Sequence, residues 1–389
     1  MRILIVGGGI GGVTAALCLA LDGHDIDVFE QGETYTEIGA GIQLSPNCTR
    51  VLHHLGLENA LRTAGFLPEG TEFRHWKSGK VIATSSLGET VRAKFGFPYY
   101  HIHRGDFIHL LVKEAEKKAN IRLHTDSKVD GFIEASSSIQ VSVNGVKYEG
   151  DFLIGADGIH SVIRSTLWDD ETPSFTGNVA WRALVPAAEL PTGMVRPMST
   201  AWWGPRRHFV HYYIKGGEVV NCVCVVEKDG WEIESWTEPG DYDELKADFR
   251  GWNEEIQTLI DHADQNSLYK WALHDRAPMK KWGKGRTTLL GDACHPTLPF
   301  MAQGAAMSIE DGAVLAACLR RTQEVPVALK NYEDLRRDRT AIIQNGSRRN
   351  ASLFHLSGLK ALARNFAVRR TTESTIERLF GYDALEAAE

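Results

Sequence analysis

The chain has 389 residues, 43% hydrophobic and 24% charged, with a formal net charge of -7. This is the composition of a globular protein long enough for two or three domains, and a core of that size needs no disulfide or metal staples. The negative charge argues against nucleic acid and anionic membrane surfaces as partners, and no apolar run reaches the ~20 residues that span a bilayer.

The six cysteines are scattered, and the one close pair, Cys222-x-Cys224, sits in an apolar run that reads as a strand. No second pair follows at ligand spacing, so no metal site is expected. Reduced thiols, and a start directly on an apolar strand without a basic leader, point to the cytoplasm.

In chain order, residues 3–6 are fully apolar, as in a buried parallel strand. Residues 12–22 have helical periodicity, and Ile26 to Phe29 forms a second apolar strand ending at Glu30. This is a βαβ unit. A glycine-rich loop, Glu37 to Gln43, follows, and its Gly41 is expected to be a cofactor-binding residue. Pro46 starts a helix that Gly56 closes. Residues 71–85 alternate as strands do, and 105–119 read as an amphipathic helix. Strands are expected at 121–124, 128–134 and 138–143, with Asn144-Gly145 as a hairpin turn. The stretch 177–228 is β-rich, and 241–262 is helical in pattern. Thr287 to Leu290 is a strand leading to a long helix from about Ala305, and the remainder is helical and arginine-rich.

The expected fold class is α/β: a Rossmann-like dinucleotide domain with an inserted antiparallel β-sheet domain and C-terminal helices. The boundaries expected are 1–75, 100–170 and 277–325 for the discontinuous dinucleotide domain. The inserted domain takes 76–99 and 171–276, and the C-terminal helical region takes 326–389.

Three segments carry chemistry. Gly7-Gly8-Gly9-Ile10-Gly11-Gly12 fits G-x-G-x-x-G between a strand and a helix, and Glu30 ends the next strand. In that context Gly7 makes the tight turn, Gly9 lets the backbone approach a pyrophosphate, and Gly12 lets the helix pack on the strand. The helix N-terminus offers N–H groups to the anion, and Glu30 accepts ribose hydroxyls. The second segment is a strand running into Ala156-Asp157-Gly158 and a helix. The third is Leu290-Gly291-Asp292, a crossing loop, and a helix opening at Gly304-Ala305. Asp292, at a strand end, suits the hydroxyls of a ribityl chain. The positive end of the helix at Gly304 suits the negative charge of a reduced flavin.

Taken together, in this order and over residues 7 to 311, the three segments resemble the single-component FAD-dependent aromatic hydroxylases, the class A flavoprotein monooxygenases. The resemblance implies bound FAD, and NADH or NADPH as a transient co-substrate without a second Rossmann domain. It implies that Arg104 contacts the FAD and that Asp157 links the FAD and nicotinamide sites, although Asp157 also suits a helix N-cap. Small aromatic substrate and O2 are the other partners implied, and the family favours a homodimer.

Within that family, Val179 to Ala183, Gly204 to Tyr213, His295 to Pro299 and Phe380 to Asp383 are similar to segments of the salicylate, 3-hydroxybenzoate and 6-hydroxynicotinate hydroxylases. The reaction implied is hydroxylation of a small hydroxylated aromatic or N-heteroaromatic carboxylate through a flavin C4a-hydroperoxide. Such an electrophile needs an activated phenol, and a histidine is suited to take the phenolic proton. On a strand His208, Val210 and Tyr212 share one face and His211 turns away. His208 and Tyr212 match the family's substrate-contacting positions, which makes His208 the candidate base and Tyr212 its hydrogen-bonding companion. A half-buried structural histidine is the competing reading of His208, and His211 is read as structural. The chain departs from its relatives at Pro299 and Phe300, where other groups carry glutamine or histidine. Gln43 is the candidate to supply the missing polar partner. An FAD-linked oxidase or dehydrogenase that inserts no oxygen is the alternative function.

Overall fold

Arg2–Val6 is apolar from Ile3 onward, and its last four residues are buried. Such a strand needs cover on both faces and neighbours on both edges. In the computed structural model, which describes residues 1–35, 40–168, 172–228, 230 and 238–387, it has both. It is the middle strand of a five-stranded sheet ordered Thr287–Leu289, Phe152–Gly155, Arg2–Val6, Asp25–Phe29, Ile121–His124. Every pairing in that sheet is parallel. The strands that the three sequence motifs end are thus brought side by side. Glu37 to Gly39 of the glycine-rich loop, residue 171 at an expected domain boundary, part of the expected inserted domain (229 and 231–237) and the last two residues lie outside the described residues.

The helix Ile10–Leu21 is buried along most of its length. It packs against the helix Gly304–Arg321. Their axes come close because Gly312 has no Cβ; one built there would lie 3.0 Å from the Ala15 backbone. The hairpin at Asn144-Gly145 forms as expected, with φ of 49° and 78° at the two turn residues, as a primed turn requires.

The second large sheet has seven strands, in the order Tyr269–Asp275, Ser174–Pro186, Val219–Glu227, Arg207–Ile214, Met198–Gly204, Gly70–His75, Val81–Ser86. It is antiparallel except where Met198–Gly204 runs parallel to Gly70–His75. That pairing corrects the boundary expected at residue 75: Gly70–His75 belongs to the seven-stranded sheet and not to the dinucleotide unit. The helical stretch 241–262 is two helices, Tyr242–Asp248 and Glu254–Asp261, broken where Gly251 adopts φ +78°. Leu245, Phe249, Ile256, Leu259 and Ile260 pack with Trp181 and Phe209 on one face of the sheet.

Two long helices, Val325–Phe354 and Gly358–Phe380, end the chain. Among the described residues no helix is long and apolar enough to cross a membrane, and no cluster of His, Cys, Asp or Glu could hold a metal ion.

Candidate active site

A cavity of about 1020 Å3 opens at the carboxyl ends of the parallel strands and is closed on its far side by the seven-stranded sheet. Ligands of open parallel sheets bind at that end of the strands. Gly7, Gly9, Glu30, Gly41, Arg104, Asp157, Asp292, Gly304, Ala305, His208 and Tyr212 all line it. Gly12 is the one expected cofactor residue that does not; a Cβ there would lie 2.0 Å from the Gly7 carbonyl oxygen, so its part is helix packing.

The cofactor side is built from close approaches. Gly7 has φ +105°, and a Cβ on it would meet the Ala156 oxygen at 2.3 Å. The turn of the first motif therefore rests directly on the second. Gly9 begins the helix Ile10–Leu21 without any side-chain cap, which leaves backbone N–H groups for an anion. The Glu30 carboxylate accepts the Gly8 and Gly32 N–H groups, both at 2.8 Å. It is oriented by these bonds and keeps lone pairs for hydroxyl donors.

Gly41–Leu44 pairs with Tyr100–His103, and the Arg104 N–H donates to the Ala40 oxygen at 2.8 Å. This strand pair sets Arg104 at the cavity wall, where burial raises the Asp292 carboxyl against the opposing charges of His295 and Arg104. Asp157 accepts the Ser161 hydroxyl at 2.5 Å and the Val162 and Ile163 N–H groups at 2.7 and 3.2 Å. The N-cap of the helix Val162–Leu167 is Ser161, which accepts the Arg164 N–H at 2.9 Å; Asp157 supports it from behind while also facing the cavity. Arg164, on that helix, donates to the carbonyls of Ile159 and Ala293 at 2.7 and 3.0 Å. The second and third motifs are joined by this residue, which sequence reasoning did not single out.

Behind the third motif, the His295 ring bonds Asp311 at 2.6 Å. Asp311 also accepts the Gly291 N–H at 3.0 Å and Arg336 Nε at 2.7 Å. Burial would raise the Asp311 carboxyl, but His295 and Arg336 prevail and hold it at about 2. His295 thus braces the loop beneath the cavity. The helix Gly304–Arg321 starts on the cavity with no side-chain cap, because the Gln303 amide is engaged with Ser45 and Asn47.

A cradle that admits no side chains, two uncapped helix N-termini, a cation and two oriented carboxylates suit a dinucleotide whose far end is a flavin. The residues fit FAD.

The opposite wall is the strand Arg207–Ile214. His208, Val210 and Tyr212 face the cavity, while His211 turns to the other face and accepts the Trp202 indole N–H at 3.0 Å. Burial pushes the His208 imidazole well below its usual range, and His355 adds to the effect. Burial likewise raises the Tyr212 phenol, against the pull of Arg182 and a hydrogen bond with Gln43. Gln43 also accepts from the Tyr99 hydroxyl at 2.5 Å and donates to Ser199 at 3.2 Å, so its amide is fixed within the cavity wall. The rings of Phe300 and Phe354 stand edge-on to His208 at 5.1 and 5.3 Å.

Two neighbours of this wall had no signal in the sequence. His355 Nε2 lies 2.8 Å from His208 Nδ1. Asn221 accepts the Gly41 N–H at 2.7 Å and so fastens the strand Gly41–Leu44 to the seven-stranded sheet.

Residues 1–345 match the family model described as FAD binding domain. The chain is 37% identical over 360 residues to 6-hydroxynicotinate 3-monooxygenase of Pseudomonas fluorescens, covering 90% of this chain and 91% of that one. It is 36% identical over 391 residues to 3-hydroxybenzoate 6-hydroxylase 1 of Aquipseudomonas alcaligenes, covering 99% and 98%. The crystal structure of Klebsiella pneumoniae HpxO complexed with FAD and uric acid superposes with a TM-score of 0.85 at 27% identity, over 99% of this chain and 97% of that one.

Proposed function

Because this chain belongs to the FAD binding domain family and is an FAD-dependent aromatic monooxygenase, we propose that it uses NADH or NADPH and O2 to hydroxylate a small hydroxylated aromatic or N-heteroaromatic carboxylate, with His208 as base. Hydroxybenzoates and 6-hydroxynicotinate are the substrate types by analogy with the acids named for its relatives, and salicylate joins them from the resemblance of its sequence segments. One observation carries the reading: His208 and Tyr212 share a strand face in the same cavity as all three cofactor motifs.

Gly7, Gly9, Glu30, Arg104, Asp157, Asp292, Gly304 and Ala305 hold the FAD in this proposal. When bound there, FAD would supply an electrophilic oxygen from O2 with reducing equivalents from the nicotinamide. The protein's own residues prepare the ring that receives it. His208 is kept neutral by its burial, so it has a lone pair to accept the phenolic proton. Tyr212 stays protonated for the same reason and donates a hydrogen bond to the resulting oxyanion. Phe300, Phe354 and Val210 exclude water around the ring. A cytoplasmic homodimer completes the proposal; six buried free thiols suit a reducing compartment, and sedimentation checks the dimer.

The test is a panel of salicylate, 3- and 4-hydroxybenzoate and 6-hydroxynicotinate with labelled O2, following both nicotinamide oxidation and product mass. A labelled hydroxyl in one product is expected, and oxidation that leaves all the label in peroxide would refute oxygen insertion. His208→Ala should retain FAD and lower the rate of hydroxylation by roughly a hundredfold. An unchanged product yield removes His208 from the role of base.

A further inference from the structure

We propose that His355 and Glu227 form, with His208, a proton path that carries the substrate's phenolic proton from the closed cavity to a separate polar cleft on the surface. The proposal rests on His208 as base and deepens that reading.

The geometry is a chain of two hydrogen bonds. His208 Nδ1 lies 2.8 Å from His355 Nε2, and His355 Nδ1 lies 2.7 Å from Glu227 Oε1. His208 is 2% exposed and His355 7%, so neither ring can pass a proton directly to bulk water. The Glu227 side chain is 35% exposed. It lines a second cleft of about 380 Å3, with Arg206, Asp275 and Arg348 in the same wall. The path therefore starts in one cavity and ends in another.

The bonding pattern fixes the tautomers. A carboxylate only accepts, so Glu227 requires the proton of His355 to sit on Nδ1. A neutral His355 then presents a lone pair at Nε2, and His208 must donate to it from Nδ1. This leaves His208 with its lone pair on Nε2, the nitrogen available to the substrate. Burial favours the neutral form of both rings, and for His355 the charges of Arg207 and Arg364 act in the same sense while Glu227 opposes them. Arg206 flanks the outer end, with Nε 3.1 Å from Glu227 and its N–H on the His355 carbonyl at 3.3 Å. Phe300 and Phe354 wall the inner end.

The transfer balances. The phenolic O–H breaks as an N–H forms on His208 Nε2. The Nδ1–H of His208 breaks as one forms on His355 Nε2, and the Nδ1–H of His355 passes to Glu227, which holds it in the cleft as a carboxylic acid donating back to Nδ1. Each ring ends neutral in its other tautomer. Reprotonation of the product oxyanion runs the same hops backwards and restores both rings, so no ring flip is needed in the dry cavity. His355 acts through His208 and is a positioning and proton-carrying residue.

The experiment reads phenolate formation in the FAD-loaded enzyme without nicotinamide, using 3-hydroxybenzoate as probe and stopped-flow absorbance of the phenolate. His355→Gln preserves both hydrogen bonds, since an amide can accept from His208 and donate to Glu227, but it cannot carry a proton. It should slow phenolate formation roughly tenfold or more with probe affinity little changed, and added imidazole should restore part of the rate. Glu227→Gln, at the exposed end where folding is not at risk, should slow the same step. Wild-type rates in both variants overturn the path. His208→Gln separates the two readings: if phenolate still forms there, the base assignment fails; if it is lost there while His355→Gln is unaffected, only the path fails. Independently of any substrate, nitrogen NMR of the FAD-loaded protein should find the His208 proton on Nδ1, and a proton on Nε2 overturns the proposal.

Discussion

Gly7 and Gly41 are both glycines at the cavity, and their geometry predicts different consequences when a methyl group is added. At Gly7 the backbone itself resists, with φ +105° and a Cβ position 2.3 Å from the Ala156 oxygen. Gly7→Ala should introduce strain of about 1–3 kcal/mol at the phosphate turn, and a flavin-fluorescence titration should show weakened FAD binding. At Gly41 the backbone is ordinary, but a Cβ would lie 2.6 Å from Tyr212 Cε2 and 2.9 Å from Asn221 Cγ. Gly41→Ala should displace the Tyr212 ring, raising KM about tenfold while FAD affinity changes less. Equal losses of FAD in the two variants would put Gly41 on the cofactor side alone. The split between His208 and His211 was legible in the sequence because strand alternation is a local property. His355 was not, since it stands 147 residues from His208 and no periodicity links the C-terminal end of a helix to a distant strand. Asn221, 180 residues from Gly41, was hidden for the same reason.

At the scale of elements, the strand-turn-helix units could be read directly, because glycine turns and apolar runs announce themselves within a dozen or so residues. The partner of Gly70–His75 could not. Its alternating pattern predicts a half-buried strand, but a parallel neighbour at Met198–Gly204 is a choice made by the assembled sheet. The packing of helix Gly304–Arg321 was equally unreadable. Its Glu310 and Asp311 look like a solvated pair, yet both are fully buried and both bond Arg336 at 2.7 Å. Arg336 has no solvent exposure itself. Arg336→Met should therefore cost about 3 kcal/mol or more, because it leaves buried carboxylates short of a counter-charge. Glu310 would keep Arg339, and Asp311 would keep His295. Urea unfolding of the FAD-loaded protein measures the loss. Arg339→Met, at the partly exposed edge of the cluster, should cost clearly less, and equal costs would show that burial is not the cause.

Over the whole molecule, the helix Val325–Phe354 connects the two walls of the cavity. Arg336 within it holds the acidic pair behind the third motif, and its C-cap residue His355 meets His208 on the seven-stranded sheet. The core that results contains neutral imidazoles, and this fixes how stability varies with pH. Burial lowers His101 to about 3, and burial with Arg74 lowers His211 to about 3; His208 and His355 are lowered as well. In the unfolded chain each returns to its usual 6.5, so on acidification the unfolded state takes up protons that the folded state refuses. A lowered histidine thus contributes fully above about pH 6.5, and that contribution is lost as the pH falls below it. Between about pH 6.5 and 5 the loss is on the order of 2 kcal/mol for each of His101 and His211. The carboxyls of Asp157 and Asp292 are raised by burial and soften the loss, since folded carboxyls then take up protons more readily than unfolded ones. Asp311, held at about 2, adds its own loss only at lower pH. The melting temperature should therefore fall steadily from pH 7 to 5, well before carboxylates titrate in bulk. His101 is packed among the rings of Tyr212, Tyr99 and Phe66, and His101→Phe should make the acid limb shallower by about one proton's worth. A melting temperature flat over that range, or an acid limb unchanged in the variant, would show that these rings do not remain neutral in the folded chain.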